Sequence, residues 1–217
     1  MPLTREQLDR ELGKFSFVEL EKGRLRLDRE WVEANLTYID SPRSLPLGWG
    51  GYARRIRCHR RVAGQLLAAL QELRDQGLIH LIKDYWGAWT PRKVRGGEAP
   101  SPHCWGHAID FNAKEFPLGS DKKQDPRLVD TMDRHGFECG QVWRVRKDPM
   151  HFEAIRFAPA ESAPESTVAQ IPIMVGSDQV GTGRLENGRV VGPFAPVLRA
   201  LGHDVTWDGT RRRLVID

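Results

Sequence analysis

The 217-residue sequence is poor in cysteine, with three, and in tyrosine, also with three, and it has no long apolar run. Cys58, Cys104 and Cys139 are odd in number and widely spaced, and no C-x-x-C occurs. Neither a disulfide framework nor a thiolate zinc cage is expected from that pattern, only reduced, partly buried thiols. No stretch approaches the ~20 consecutive apolar residues of a membrane-spanning helix. The start, MPLTREQLDRELGKF, lacks the apolar centre of a secretory signal, so no signal peptide is expected. Charge of one sign is not in large excess: 33 Lys+Arg face 29 Asp+Glu, a formal net charge of +4. The one basic cluster, Arg54, Arg55, Arg57, Arg60 and Arg61, has no nucleic-acid motif beside it, and no nucleic-acid partner is expected. Against these absences stand 7 Trp, 8 Phe and 40% hydrophobic residues, the composition of a chain that folds around a core.

At this length one domain, or one plus an appendage, is expected. Thr4 and Gln7 form a capping-box pattern that opens a short helix through about Leu12. The stretch with Pro42, Pro46, Gly48, Gly50 and Gly51 reads as loop. Val62, Leu66, Ala69, Leu70 and Leu73 share one helical face, and Gly77 sits where a C-terminal cap belongs. Leu78 to Ile82 reads as a short buried strand, and an aromatic, glycine-rich loop runs from Tyr85 to Pro102. Asp125-Pro126 opens another helix that Gly136 ends. Small residues, prolines and charges from 158 to 167 make a linker between a first unit, 1–157, and a tail, 168–217. In the tail, Ile171, Ile173 and Val175 alternate as a strand. Asn187-Gly188 and Asp208-Gly209 signal hairpins, and Phe194 to Leu201 reads as a helix.

Two segments carry chemistry: Ser101-Pro-His103-Cys-Trp-Gly106-His-Ala108-Ile-Asp110-Phe-Asn112, and Asp148-Pro-Met-His151-Phe-Glu153. His103 and Asp110 are seven apart, an odd separation that puts them on opposite faces of a straight strand. They converge if the chain turns at Gly106 and continues as a strand from Ala108 to Phe111, with Ile109 and Phe111 toward the core and Asp110 away from it. His151 and Glu153 share one strand face, with Phe152 on the other. Two imidazoles and one carboxylate make a three-ligand zinc set with a fourth position left for water, so Zn2+ is the expected cofactor. Such chemistry needs a base, for which Asp148 beside Pro149 is placed, and a cation, for which Arg92 is the candidate because a guanidinium grips a carboxylate with two bonds.

The two motifs, in this order, resemble the LAS-type zinc peptidases of bacterial cell walls, which include D-alanyl-D-alanine carboxypeptidases, D,D-dipeptidases and L-alanyl-D-glutamate endolysins. The resemblance covers about residues 55 to 157. It implies a small α+β domain with a central antiparallel sheet, related to the hedgehog signalling domains. It also implies zinc on His103, Asp110 and His151, Asp148 as catalytic base, and Arg92 on the substrate. Ser101 and Trp143 are taken as further substrate contacts. An aspartate rather than a glutamate as base is closer to the endolysin and carboxypeptidase branches. The expected activity is therefore hydrolysis of a peptidoglycan stem peptide, at L-alanyl-D-glutamate, with D-alanyl-D-alanine carboxypeptidase action as the alternative. A non-catalytic zinc-bearing binding module is the alternative of another class. The site of action is the bacterial cell wall, reached by phage-lysin-type release or as a trimmed exported protein. The tail, through Gly202-x-x-Val205-x-Trp207-Asp208, resembles the small α+β stalk domain first named from copper amine oxidases. With His203 as its only imidazole, no copper site is expected there. The basic run Arg211, Arg212 and Arg213 suggests wall-polymer binding or self-association for the tail.

Other residue types are weighed in the same way. His107, four after His103, lacks the following Glu of a helical zinc motif and is assigned a structural or pocket-edge place. Cys104 is read as a packed thiol, and His59, His80 and His135 as structural. Glu153 either orients a ligand or is a solvated strand charge. Trp86, Trp89 and Trp105 are assigned to the core.

Overall fold

The computed structural model describes residues 2–157 in full. Beyond them it describes the backbone of residues 170–175, 178–186, 189–191, 202, 205–208 and 213–216. The chain divides into two compact units, Met1–Ala160 and Glu161–Asp217.

In the first unit the elements follow in the order α1 (Arg5–Leu12), β1 (Phe17–Glu19), β2 (Leu25–Leu27), α2 (Arg29–Asn35), β3 (Leu36–Pro46), β4 (Tyr52–His59) and α3 (Arg60–Asp75). After these come β5 (Tyr85–Gly87), β6 (Ala108–Phe111), α4 (Pro126–Arg134), β7 (Phe137–Gly140) and β8 (Asp148–Ala154). The capping box at Thr4 is formed: its side chain accepts from the Gln7 N–H at 3.2 Å, and Gln7 Oε1 accepts from the Thr4 N–H at 2.8 Å. Four strands make the central antiparallel sheet in the order β5-β6-β8-β7. The apolar stripe of α3 is buried along Val62, Leu66, Ala69, Leu70 and Leu73. It joins Leu128 and Met132 of α4 and Ile109, Phe111, Phe137 and Phe152 of the sheet in one core. Each fully buried side chain of this size contributes about 1.5–3 kcal/mol over its exposed state. The sheet is thereby anchored by one face, and its other face is left for chemistry.

Two stretches differ from the sequence reading. The proline- and glycine-rich stretch is not loop throughout. β3 and β4 pair antiparallel from Leu36↔His59 to Asp40↔Arg55, then slip to Leu45↔Ala53 across an irregularity that admits Pro42. The arginines of β4 alternate with buried Ile56 and Cys58, so this basic cluster is partly the outer face of a strand. Leu78 to Ile82 is not a strand either: Ile79–Leu81 form one 3-10 turn that buries Ile79 and Ile82. A short apolar run fits either form, and only its neighbours decide.

A second cluster joins Leu8, Leu12, Phe15, Leu27, Trp31 and Leu36 to Cys104 and Trp105. The Trp105 ring lies 4.6 Å from Phe15, and its Nε1–H donates to the Gly13 carbonyl at 3.2 Å. The N-terminal elements thus fix the residues that follow His103. All three cysteines are fully buried and free, deeper than expected; burial pushes the Cys58 and Cys139 thiols up to about 12.

In the second unit, β9 (Gln170–Val175), β10 (Asp178–Glu186) and β11 (Arg189–Val191) form an antiparallel sheet in the order β11-β10-β9. β12 (Val205–Asp208) pairs antiparallel with β13 (Arg213–Ile216). The expected linker 158–167, the expected helix 194–201, His203, Arg211 and Arg212 lie outside the described residues.

Candidate metal centre

Ser101 caps a short 3-10 turn, Pro102–Cys104, by accepting the His103 N–H on its hydroxyl at 3.4 Å. Cys104 and Trp105 sink into the N-terminal cluster, and the chain then reverses at Gly106, whose φ is +72°. A Cβ there would stand 3.0 Å from the His59 nitrogen, while the Gly106 carbonyl accepts that N–H at 2.9 Å. Only glycine suits both the left-handed backbone and this close approach. The chain leaves the turn as β6, with Ile109 and Phe111 in the core. Asp110 pairs directly with His151 of β8, and Ala108 pairs with Glu153. The turn and the pleat together place His103, Asp110 and His151 on one side of the sheet.

Their ligand atoms converge. His103 Nε2 lies 3.1 Å from His151 Nδ1 and 3.2 Å from Asp110 Oδ1, and His151 Nδ1 lies 3.0 Å from the same oxygen. Among the described residues this is the group of His, Cys, Asp or Glu that could hold a metal ion. Tetrahedral zinc with bonds of ~2.0–2.1 Å needs ligand atoms roughly 3.3 Å apart, so the trio fits such an ion after small outward shifts. Each imidazole is also steered from behind. His103 Nδ1 donates to the Ala88 carbonyl at 2.9 Å, which turns Nε2 toward the centre. His151 Nε2 donates to Glu153 Oε2 at 3.1 Å. A backbone carbonyl and a carboxylate behind the two histidines are the partners that metal-binding imidazoles use to fix tautomer and orientation.

The charges follow from these contacts. Burial alone would lift the Asp110 carboxyl, but the charge and hydrogen bonds of His103 and His151 outweigh it and hold it well below the usual carboxylate range. Burial opposes a proton on His151, yet the hydrogen bonds and charges of Asp110 and Glu153 prevail and push it up to about 10. Burial also works upward on Glu153, and its hydrogen bond to His151 brings it below its ordinary value. Glu153 is 1% exposed, so it is not a solvated strand charge.

Asp148 opens β8 and pairs with Gly140, after which three residues bulge before Phe152 pairs with Cys139. The bulge turns Asp148 into a cleft of about 270 Å³ that it shares with His103, His151, Glu153 and Trp143. Gln124 fills the gap behind it, donating to the Phe111 carbonyl at 2.9 Å and to the Pro149 carbonyl at 3.0 Å. Asp148 Oδ1 is buried and without a hydrogen-bond partner. Burial first, and the charge of Asp110 after it, raise this carboxyl above its ordinary value.

The remaining expected residues are placed as follows. Arg92 is half-buried, lines the cleft, and makes one long hydrogen bond, 3.4 Å, to the Lys93 carbonyl. The Trp143 ring lies 5.4 Å from that of His151, with its Nε1–H on Glu138 at 3.0 Å. Ser101 lines the cleft, and its hydroxyl accepts the His103 N–H while keeping its own O–H donor. His107 is buried outside the trio, with Nδ1 unpartnered, and burial lowers it to about 4. Cys104 points away, its thiol donating to the Arg92 carbonyl at 3.1 Å. His59 and His135 make structural contacts, to Leu12 and Glu72. Trp86 departs from its expected place in the core: it is 39% exposed. Sequence reasoning missed Arg95 and Arg146, which line the cleft with Arg92, and it missed the Ala88 carbonyl. The arginines were visible as basic residues in the two loops flanking the motifs. A backbone carbonyl leaves no trace in residue identity.

The comparisons with known proteins agree with this region. A peptidase-family model described as D-alanyl-D-alanine carboxypeptidase matches residues 95–154, which include His103, Asp110, Asp148, His151 and Glu153 but not Arg92. No curated protein and no solved structure matches the chain. Residues 95–154 are thus similar to a family of peptidases, and the His103, Asp110 and His151 of that segment form a site that could hold a metal.

Proposed function

We propose that the first unit is a zinc peptidase that hydrolyses a peptide bond in the stem peptide of peptidoglycan. One observation carries the reading: three ligand atoms lie within 3.2 Å of one another, and two of their residues, His103 and His151, share a cleft with Asp148, whose Oδ1 is buried and unpartnered. His103, Asp110 and His151 would hold the ion. Bound there, zinc would supply a Lewis acid for the scissile carbonyl and would acidify water. Asp148 takes the proton from the attacking water and passes it to the leaving amine, the work of a general base and then acid. Its raised proton affinity suits the second half of that task. Arg92 offers donors to a carboxylate of the substrate or to the developing oxyanion, and Arg95 and Arg146 add positive charge to the same cleft. Trp143 walls the cleft beside His151, and Glu153 holds the His151 ring in place.

The bond we assign is L-alanyl-D-glutamate, with the cell wall as the place of action. Removal of the terminal D-alanine fits the same geometry equally well, and the similarity of residues 95–154 to a family described as D-alanyl-D-alanine carboxypeptidase favours it. Mass spectrometry of the products from a defined muropeptide decides between them. Release of peptide amines that requires zinc supports the proposal, and none from fully zinc-loaded protein refutes it.

A further inference from the structure

The turn joining β3 to β4 is closed by the Leu47 N–H on the Gly51 carbonyl at 2.9 Å and the Gly50 N–H on the Leu47 carbonyl at 3.0 Å. It carries Trp49, which is 65% exposed, and Tyr52, 73% exposed, follows it. The Trp49 ring meets Trp86 at 6.0 Å and 82°, so the two indoles form a corner with nearly perpendicular walls. Trp86 is locked in that corner. Its Nε1–H donates to buried Asp84 at 2.5 Å. A Cβ on Gly48 would stand 2.0 Å from Trp86 Cε2, so the indole lies against the bare backbone of that glycine. The Asp84 backbone is bonded in both directions to Asn112, two residues beyond Asp110. The aromatic corner is therefore braced to the strand that carries a candidate metal ligand.

Large aromatic surface left in water and held rigid marks a ligand site. Trp86 also lines a pocket of about 410 Å³ whose walls include His103, Asp110 and Arg92, so one wall of the corner borders two of the candidate metal ligands. The chemistry of the occupant follows from what the corner offers. A peptide docking here by strand addition would need the free edge of β5. That edge is already capped, because the Gly48 N–H bonds the Tyr85 carbonyl at 3.1 Å and Leu47 bridges Tyr85. What remains is the exposed aromatic surface of Trp49 and Trp86, with the polar edge of Trp86 turned inward. The negative face of an indole attracts the weakly positive C–H bonds that a pyranose presents on its flat sides.

We propose that Trp49 and Trp86 form a saccharide subsite that takes a sugar ring of the glycan strand bearing the stem peptide. The identity of that sugar rests on the peptidoglycan reading above. The stem peptide begins at its sugar with L-alanine, so a sugar held beside His103 and Asp110 favours cleavage near that end over removal of the terminal D-alanine.

The test uses the full chain and a peptide-free probe, the linear tetramer of N-acetylglucosamine, with binding followed through the indole N–H resonances in heteronuclear NMR. Two of these resonances, assigned to Trp49 and Trp86 by their loss in Trp49→Ala and Trp86→Ala, shift with the sugar. Trp49→Ala weakens binding roughly tenfold, the scale of one lost aromatic stacking contact. Gly48→Ala removes no ring but evicts the Trp86 indole, and it weakens binding similarly with circular dichroism unchanged, so the test stands even where Trp86→Ala fails to fold. Indoles that ignore the tetramer, or Trp49→Ala that binds it as well as wild type, overturn the subsite. So does concentration-dependent dimerisation abolished by Trp49→Ala, which gives the corner to a second copy. The probe holds no peptide bond to cut, so the two readings fail separately. Sugar binding without stem-peptide hydrolysis keeps the subsite and removes the peptidase, and hydrolysis without sugar binding does the reverse.

Discussion

Zinc uptake by the metal-free protein is expected to release at least one proton per ion at neutral pH. The proton can be traced to one atom. His103 Nδ1 is committed as donor to the Ala88 carbonyl, so Nε2 is the nitrogen that meets the ion. Asp110 enters as a carboxylate, held well below its usual range. His151 keeps Nε2–H on Glu153, and its Nδ1–H is what lies between Asp110 and His103. A cation taking that position must expel the Nδ1 proton. With His151 raised to about 10, the group is fully protonated at pH 7. Protonation competes with the metal, so apparent affinity falls as pH falls. Each pH unit below the raised value costs a factor of ten, about 1.4 kcal/mol. From pH 9 to pH 7 the loss is about a hundredfold, whereas a histidine at its ordinary value of 6.5 would cost little over that range. Calorimetric titrations in two buffers of different ionisation enthalpy count the protons released. Competition with a chelator gives the slope. The ring resonances of His151 in the metal-free protein report the same group directly. A His151 ring that titrates near its ordinary value, or a proton count below one at pH 7, refutes the argument.

Four further outcomes are expected. Asp148→Ala keeps its zinc by metal analysis but loses about 10²–10⁴-fold in turnover; undiminished turnover would pass the base role to Glu153. Glu153→Ala weakens zinc binding by ~10–100-fold in chelator competition, because His151 loses the carboxylate behind it; an unchanged constant removes the steering role. Gln124→Ala strips the hydrogen bonds from the Phe111 and Pro149 carbonyls and costs about 1–3 kcal/mol in urea unfolding, with turnover falling as the bulge loosens; unaltered stability would mean those carbonyls have other partners. Phe152→Ala empties a fully buried position behind His151 and costs about 3–5 kcal/mol by the same measurement; a change under 1 kcal/mol would show that the core has collapsed around it.

Much of the candidate site was legible before any coordinates because its logic is local. A strand alternates its side chains, so Ile109 and Phe111 against Asp110, and Phe152 against His151 and Glu153, were sorted by parity alone. The helical stripe of α3 and the cap at Thr4 are local in the same sense, each read within a few turns of chain. β3 was hidden because its irregularity breaks the period of two and its prolines imitate loop. Leu78 to Ile82 differs from the expected strand because four apolar residues around His80 carry no period long enough to tell a turn from a strand.

By itself, then, the order of residues determined which groups could bind a metal and which face of each strand they occupy, since both depend on neighbours along the chain. Only the tertiary structure decided that His103 and His151 meet within 3.1 Å, that the Ala88 carbonyl chooses the tautomer, that Asp148 is aimed by a bulge, and that Trp49 and Trp86 share a corner. Those facts depend on the register between strands and on loops packed from far along the sequence, where the energy of each contact is shared by residues that do not know one another's positions until the chain has closed.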